Sequence, residues 1–150
     1  MHPAIIQRLV GQLLMLFSIT LLPPAVIDIF YREDAGQAFF YSYLLLLATG
    51  FILWLPVRHI KAELRLRDGF VVVVMFWTVL GLAGSLPFLL YEPLTVSISD
   101  AVFESVSGLT TTGATTFIGL DELPHSILFY RQELQWLGGM GIIVLAVAVM

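Results

Sequence analysis

Residues 99–116 read Ser99-Asp100-Ala101-Val102-Phe103-Glu104-Ser105-Val106-Ser107-Gly108-Leu109-Thr110-Thr111-Thr112-Gly113-Ala114-Thr115-Thr116. The first half reads as a helix and the second does not. Ser99 and Asp100 supply an N-cap and an anion at a helix start. Ala101–Ser107 follow as a half-apolar run, and Gly108 closes it. Asp100–Gly108 covers only about 14 Å at helical rise, roughly half of a hydrocarbon core about 30 Å thick. Past Leu109, β-branched threonines interrupted by Gly113 disfavour helix and favour extended backbone. The stretch predicts a stub of helix that enters a bilayer partway, followed by a strand that returns to the same side.

The flanking sequence makes a bilayer the right setting. The chain is 59% hydrophobic and 12% charged, about half the charged fraction of an ordinary soluble domain. The charges cluster, leaving Leu9–Ile27, Ala35–Val57, Gly69–Tyr91 and Leu134–Met150 with none. Roughly 20 apolar residues cross a hydrocarbon core, so the first three windows predict spans. The fourth is still apolar at Met150, with no basic anchor or cap, and the last helix is expected to continue in a longer protein. A cleaved signal peptide is disfavoured at the N-terminus. No Ala-x-Ala-like site follows the apolar stretch after Arg8, only Pro23-Pro24, which should bend or end the first helix. Zero cysteines exclude a disulfide framework or a cysteine metal site.

Arg58–Asp68 carries four of the seven Lys/Arg residues. The positive-inside rule places this linker, and with it the N-terminus, in the cytoplasm. Asp28–Ala38 and Glu92–His125 then lie outside. That side holds Asp28, Glu33, Asp34, Glu92, Asp100, Asp121 and Glu122 against Arg32 and Arg131. An acidic mouth concentrates cations; an inert solvated loop is the plainer reading of the same charges. Two units result. Residues 1–68 form a two-helix membrane domain with its basic linker. Residues 69–150 form a pore unit: a span at 69–91, the short helix and strand at 99–117, and a second span from about 126, opened by Pro124.

At membrane depth, extended backbone is tolerated only where protein buries it or where it lines a watery cavity. Aligned along a pore, its carbonyl oxygens replace the water around an alkali cation. Thr110, Thr111, Thr112, Gly113 and Ala114 are the candidate ligating segment, with Gly113 at the position that turns a carbonyl to the axis. The C-terminus of the preceding helix points inward and carries about −0.5 of a charge, which favours a cation. Glu104, too costly to face lipid, is expected to bond neighbouring backbone donors or to attract cations. Arg131 and Glu133 lie two apart and face different ways; interfacial anchoring is the expected role, with gating the alternative. Gly81 and Ser85 have the spacing of close helix packing. Gly138, Gly139 and Gly141 suit tight packing behind the strand, or a hinge. Trp54, Trp77 and Trp136 read as core or interfacial rings. The three scattered histidines predict no metal site, no cofactor is implied, and no basic face suits nucleic acid.

Asp100–Thr115 closely resembles the first pore loop of the Trk/Ktr/HKT cation transporter superfamily. Gln135-Trp136-Leu137-Gly138-Gly139-Met140-Gly141-Ile142 resembles the glycine-rich helix that follows it. The two spans before the pore unit resemble the TrkH/TrkG-like branch. The resemblance implies an all-α polytopic membrane protein with two N-terminal transmembrane helices, then a helix, re-entrant pore helix, filter loop and helix. It implies potassium uptake through four such units in one chain, with potassium held at Thr111, Thr112 and Gly113. It also implies a homodimer and a cytoplasmic, nucleotide-binding regulatory subunit of the TrkA-like kind. Only one unit is present here, so these residues alone should not conduct.

Three other functions compete. A secondary transporter coupling potassium to protons or sodium uses a similar cation site. An intramembrane enzyme would need a nucleophile and base, or a carboxylate pair, which the few deep charges do not provide. A non-conducting assembly or anchor protein fits if the chain is complete at Met150.

Overall fold

The computed structural model describes residues 3–59 and 66–149. Lys61 and Arg65 of the basic linker, His2 and the terminal Met150 lie outside the described residues. The described secondary structure is helical. Its α-helices are α1 (Pro3–Ile19), α2 (Leu22–Tyr31), α3 (Gly36–Trp54), α4 (Leu66–Ala83), α5 (Leu86–Leu90), α6 (Ile98–Leu109) and α7 (His125–Val149). Three stretches are long and apolar enough to cross a membrane: Pro3–Tyr31, Gly36–Val57 and Val73–Leu90. They correspond to the three apolar windows. Leu16, Val26, Phe30, Phe40, Ile52 and Leu82 are exposed along them, an exterior that suits lipid and not water.

Proline interrupts two of the spans. Between α1 and α2 the helix breaks at Thr20-Leu21, and Pro23 enters the first turn of α2, where its missing N–H is harmless. The third span, expected as one crossing at 69–91, is not a single helix. It starts earlier, at Leu66, and breaks at Gly84-Ser85 before Pro87. Pro87 lacks the N–H that would continue the ladder, and its ring would clash with the carbonyl one turn back.

The helices approach closely at glycines. On α1 and α3, a Cβ at Gly11 would lie 2.7 Å from the Gly50 carbonyl oxygen, and one at Gly50 would lie 2.8 Å from that of Gly11. Such backbone contact is how helices gain van der Waals energy in lipid, where no hydrophobic effect drives them together. Farther along, Phe39 of α3 and Phe88 of α5 meet Tyr130 of α7 with ring centroids 5.4 and 5.2 Å away. The Tyr130 hydroxyl donates to the Gly84 carbonyl freed by the break in the third span, at 2.8 Å. This fully buried cluster locks α7 to both neighbours.

Against α6, α7 passes closest at Gly138. Any Cβ there would run into the backbone of Leu109 at the end of α6. Gly108, expected to end α6, lies inside it and packs on Leu134 of α7.

Carboxylates from α2 and from the α2–α3 turn fasten the other end of α7. Glu33 accepts the backbone N–H groups of His125 and Ser126, at 2.9 and 3.2 Å, and bonds the His125 imidazole at 2.6 Å. Tyr31 stacks on that imidazole, centroids 4.2 Å apart. Buried Asp28 accepts from Ala35 N–H at 2.9 Å and from Ser126 Oγ at 3.2 Å. A negative group at a helix N-terminus satisfies orphan donors and opposes the positive dipole end. Burial raises the pKa of Glu33, but the hydrogen bonds from His125 and Ser126 outweigh it and hold the carboxyl below its ordinary value.

Two outcomes follow from these contacts. Because the Glu33 pKa is lower in the folded chain, its contribution is complete above the ordinary carboxylate pKa and fades as pH falls through the folded value. Glu33→Gln should therefore lower the thermal midpoint near neutrality, and its gap from the parent should shrink as pH falls through and below the ordinary carboxylate range; a constant gap overturns the capping account. Gly138→Ala should force α7 off α6 and cost about 2 kcal/mol or more, as overpacking does. A hinge glycine without close contact would leave the unfolding midpoint in detergent unchanged.

Candidate functional site

The site begins with how α6 starts and stops. Ser97, not Ser99, is the N-cap; its Oγ accepts from Asp100 N–H at 3.1 Å. Ser and Asp three apart form a capping pair, which starts α6 at Ile98, two residues before Asp100. The helix has 12 residues, about 18 Å, still short of a bilayer core. Its other end closes with two reverse bonds: Thr111 N–H donates to the Gly108 carbonyl and Thr112 N–H to that of Ser107, each at 2.9 Å. This arrangement normally places glycine in the left-handed position. Here that residue is Thr111, with φ of 57°, and a β-branched side chain there costs about 1–2 kcal/mol.

Beyond it, 112–116 is a strand of chain without regular secondary structure, held from behind at successive points. Gly113 N–H also donates to the Ser107 carbonyl, at 3.3 Å. Ser107 Oγ donates to the Ala114 carbonyl at 2.7 Å. Glu104 Oε2 accepts from Thr115 Oγ1 at 2.9 Å and Thr116 N–H at 3.3 Å. Thr115 Oγ1 in turn accepts from Phe117 N–H at 3.1 Å. Phe117 is buried with its ring 5.3 Å from that of Phe88, pinning the strand to the aromatic cluster. Glu104 Oε1 is paired with Arg131 Nε of α7. Glu104 is 3% exposed and Arg131 8%, so this pair sits away from solvent.

Thr110–Thr116 are all exposed on the opposite side. Among the described residues, no N–H or hydroxyl donates to the carbonyls of Thr111, Thr112 or Gly113. Gly113 has φ of 73°, the left-handed region that glycine enters without steric cost. Gln135 of α7 lies about one side-chain contact behind it, its amide 3.8 Å from where a Cβ would stand. Glu104, Ser107, Gly113, Ala114, Arg131 and Gln135 pack around a crevice that does not admit a water molecule.

These contacts sort the residues singled out in the sequence. Thr111, Thr112 and Gly113 share one run of uncommitted carbonyls. Thr110 hydrogen-bonds through its hydroxyl to the Val106 carbonyl, at 2.8 Å, and contacts the Thr112 hydroxyl at 2.9 Å. Ala114 differs from the other candidates, because its oxygen is turned back to Ser107. Gly138 packs on α6, Gly141 against Phe76, and Gly139 lies near the Thr111 methyl. Gly81 packs on Val106 of α6, and Ser85 is buried in the break of the third span. Glu104 bonds neighbouring backbone as expected. Arg131 is corrected: it is no interfacial anchor but the buried partner of Glu104. Sequence reasoning also missed Ser107 and Gln135. The signal for Arg131 was available, since a carboxylate buried in an apolar stub requires a cation.

Comparison with known proteins identifies the family. The family model described as "TrkH: Cation transport protein" matches residues 35–150. The chain is 58% identical over 150 residues to "Trk system potassium uptake protein TrkH" of Salmonella typhimurium, covering all of this chain and 31% of that protein. To "Trk system potassium uptake protein TrkG" of Escherichia coli it is 38% identical over 149 residues, 99% of this chain and 31% of that one. The crystal structure of the potassium transporter TrkH from Vibrio parahaemolyticus superposes with a TM-score of 0.94 at 58% identity, over 99% of this chain and 32% of that one. The chain thus spans about a third of the length of these relatives. On the family match over most of its residues, this helical membrane chain belongs to the TrkH family of cation transport proteins.

Proposed function

We propose that Thr111, Thr112 and Gly113 line one side of a potassium path with main-chain oxygens. The observation that carries this reading is that the carbonyls of Thr111, Thr112 and Gly113, like that of Thr110 before them, accept from no donor among the described residues, on the exposed side of a segment fastened from behind. Carbonyl oxygens are hard, uncharged ligands able to replace an alkali cation's hydration shell. Left unpaired at membrane depth, each would cost several kcal/mol, which an ion in the path offsets. The choice of potassium follows from the relatives, which are named as potassium-uptake proteins.

In this reading α6 is a re-entrant pore helix. Its C-terminal end, negative by about half a charge, faces the path and favours a cation. Thr110 braces the start of the filter through its hydroxyl, and Ala114 closes it by turning its carbonyl to Ser107. Residues 69–150 act as the first of four pore units, and 1–68 as a two-helix membrane domain flanking it. The remaining wall of the path comes from segments beyond this third of the protein. Basic residues around Arg58 set the N-terminus on the cytoplasmic side of the cell membrane. The assembled protein works as a homodimer with a cytoplasmic nucleotide-binding regulatory subunit, as the family resemblance implies.

Gly113 provides the test. Serine at φ of 73° strains the backbone and displaces the carbonyls on either side. In the full-length protein, Gly113→Ser should reduce potassium-over-sodium selectivity by on the order of tenfold, equivalent to about 1.4 kcal/mol, with membrane expression maintained. Ion flux in proteoliposomes reads this out. Unchanged selectivity removes Gly113 from the path.

A further inference from the structure

We infer that Glu104 and Arg131 are positioning residues for selectivity: together they set the height of the filter strand without touching the ion. The inference deepens the proposed filter and rests on it. Two oxygens of one carboxylate serve different elements. Oε1 is committed to Arg131 Nε, so its place is set by α7. Oε2 takes Thr115 Oγ1 and Thr116 N–H, so the strand is set by the carboxylate. Because the group is rigid and planar, a movement of Arg131 relative to α6 is passed to residues 115–116. Those residues lie two and three positions from Gly113.

Geometry around the pair restricts other routes. At the α6 end, the strand is fixed by Ser107 through its backbone and hydroxyl oxygens. At the far end, Phe117 is fixed by its ring and by the bond from its N–H to Thr115 Oγ1. Between those clamps, Thr115 and Thr116 are held by Glu104. Its aliphatic stem comes from the buried side of α6, and the crevice beside it has no room for a water that could substitute. The pair cannot relax into bulk solvent, and a charge-assisted hydrogen bond in such surroundings is short, directional and strong. A purely structural ion pair would need only Glu104 and Arg131. The additional donors from the strand are what connect it to the path.

A single neutral substitution leaves one charge buried without its partner and is expected to harm folding. The informative variant is therefore the double neutral Glu104→Gln/Arg131→Gln, which removes both charges. Thr115→Val is the second variant; it deletes the hydroxyl that links Glu104 to Phe117 at an exposed position. Both belong in the full-length protein, reconstituted in liposomes at matched protein amount, with sodium and potassium flux measured beside Gly113→Ser. The sodium-to-potassium permeability ratio should rise at least about threefold in the double variant, a fold-change read against the tenfold-per-1.4 kcal/mol scale. A smaller rise in the same direction is expected for Thr115→Val. Reduced protein amount or thermal midpoint with an unchanged ratio in both variants overturns the positioning role and leaves a structural pair. If the double variant does not fold, an unchanged ratio in Thr115→Val overturns it alone. Should Gly113→Ser also leave the ratio unchanged, the filter reading itself fails. A shift in Gly113→Ser alone isolates the failure to Glu104 and Arg131.

Discussion

A carboxylate moved out of water loses several kcal/mol of hydration, which only a close cation and good hydrogen-bond donors return. Glu104 satisfies this demand on both oxygens, with Arg131 on one and the strand on the other. The consequence runs in both directions. Arg131 is buried in α7 only because Glu104 is there, and Glu104 is buried in α6 only because α7 passes close enough to deliver Arg131. That closeness comes from Gly138, where α7 meets the end of α6 with no side chain between them. Packing and electrostatics are therefore one arrangement. Filling the glycine separates the charges, and removing a charge leaves the contact with an unpaired group.

Much of this was legible in the residues. The three spans came from apolar windows that agree with the helices. The half-length helix followed from Asp100 and the threonine run, because few residues at helical rise cannot cover a bilayer. Gly113 was readable as a special backbone position, and its positive φ agrees. What was not legible depended on distance in sequence. Glu104 and Arg131 are 27 residues apart: a buried carboxylate calls for a cation, but nothing in local spacing says which one. The Gly11–Gly50 contact lies across two helices whose facing sides cannot be read from uniformly apolar sequence. Ser97 was overlooked as cap because Ser99-Asp100 presents an equally good local signal. Only the path of the chain through Pro93 and Thr95 decides which serine faces the free N–H groups. Pro87 was different: its break in the third span follows from proline's missing donor and was a signal passed over.

Thr111 and Gly113 have similar left-handed φ values by different means. Gly113 enters that region freely, while Thr111 is forced there by the bonds that close α6, from Thr111 and Thr112 to Gly108 and Ser107. Glycine at position 111 would close the helix with less strain. Threonine supplies instead a methyl that lies near Gly139 of α7. Strain of this size persists where surrounding contacts over-determine the backbone, and here they do. Two left-handed residues so close together turn the carbonyls between them in a way that neither a helix nor a regular strand allows. The conformational cost at Thr111 is thus the local counterpart of carbonyl oxygens that find no donor among the described residues.

The N-terminal helices are bound into the same arrangement. Asp28 and Glu33 hold the first turn of α7, and Phe39 reaches Tyr130 one turn farther on. From Tyr130 the next residue is Arg131, and from Arg131 the contacts lead through Glu104 to Thr115. Phe88 provides a parallel route, touching Tyr130 on one side and Phe117 on the other. Any rotation of α7 about its axis would break the capping bonds in its first turn and the ion pair in its second together. A helix fixed at two levels cannot turn without a large loss, so the height of the strand follows from where the first two spans sit.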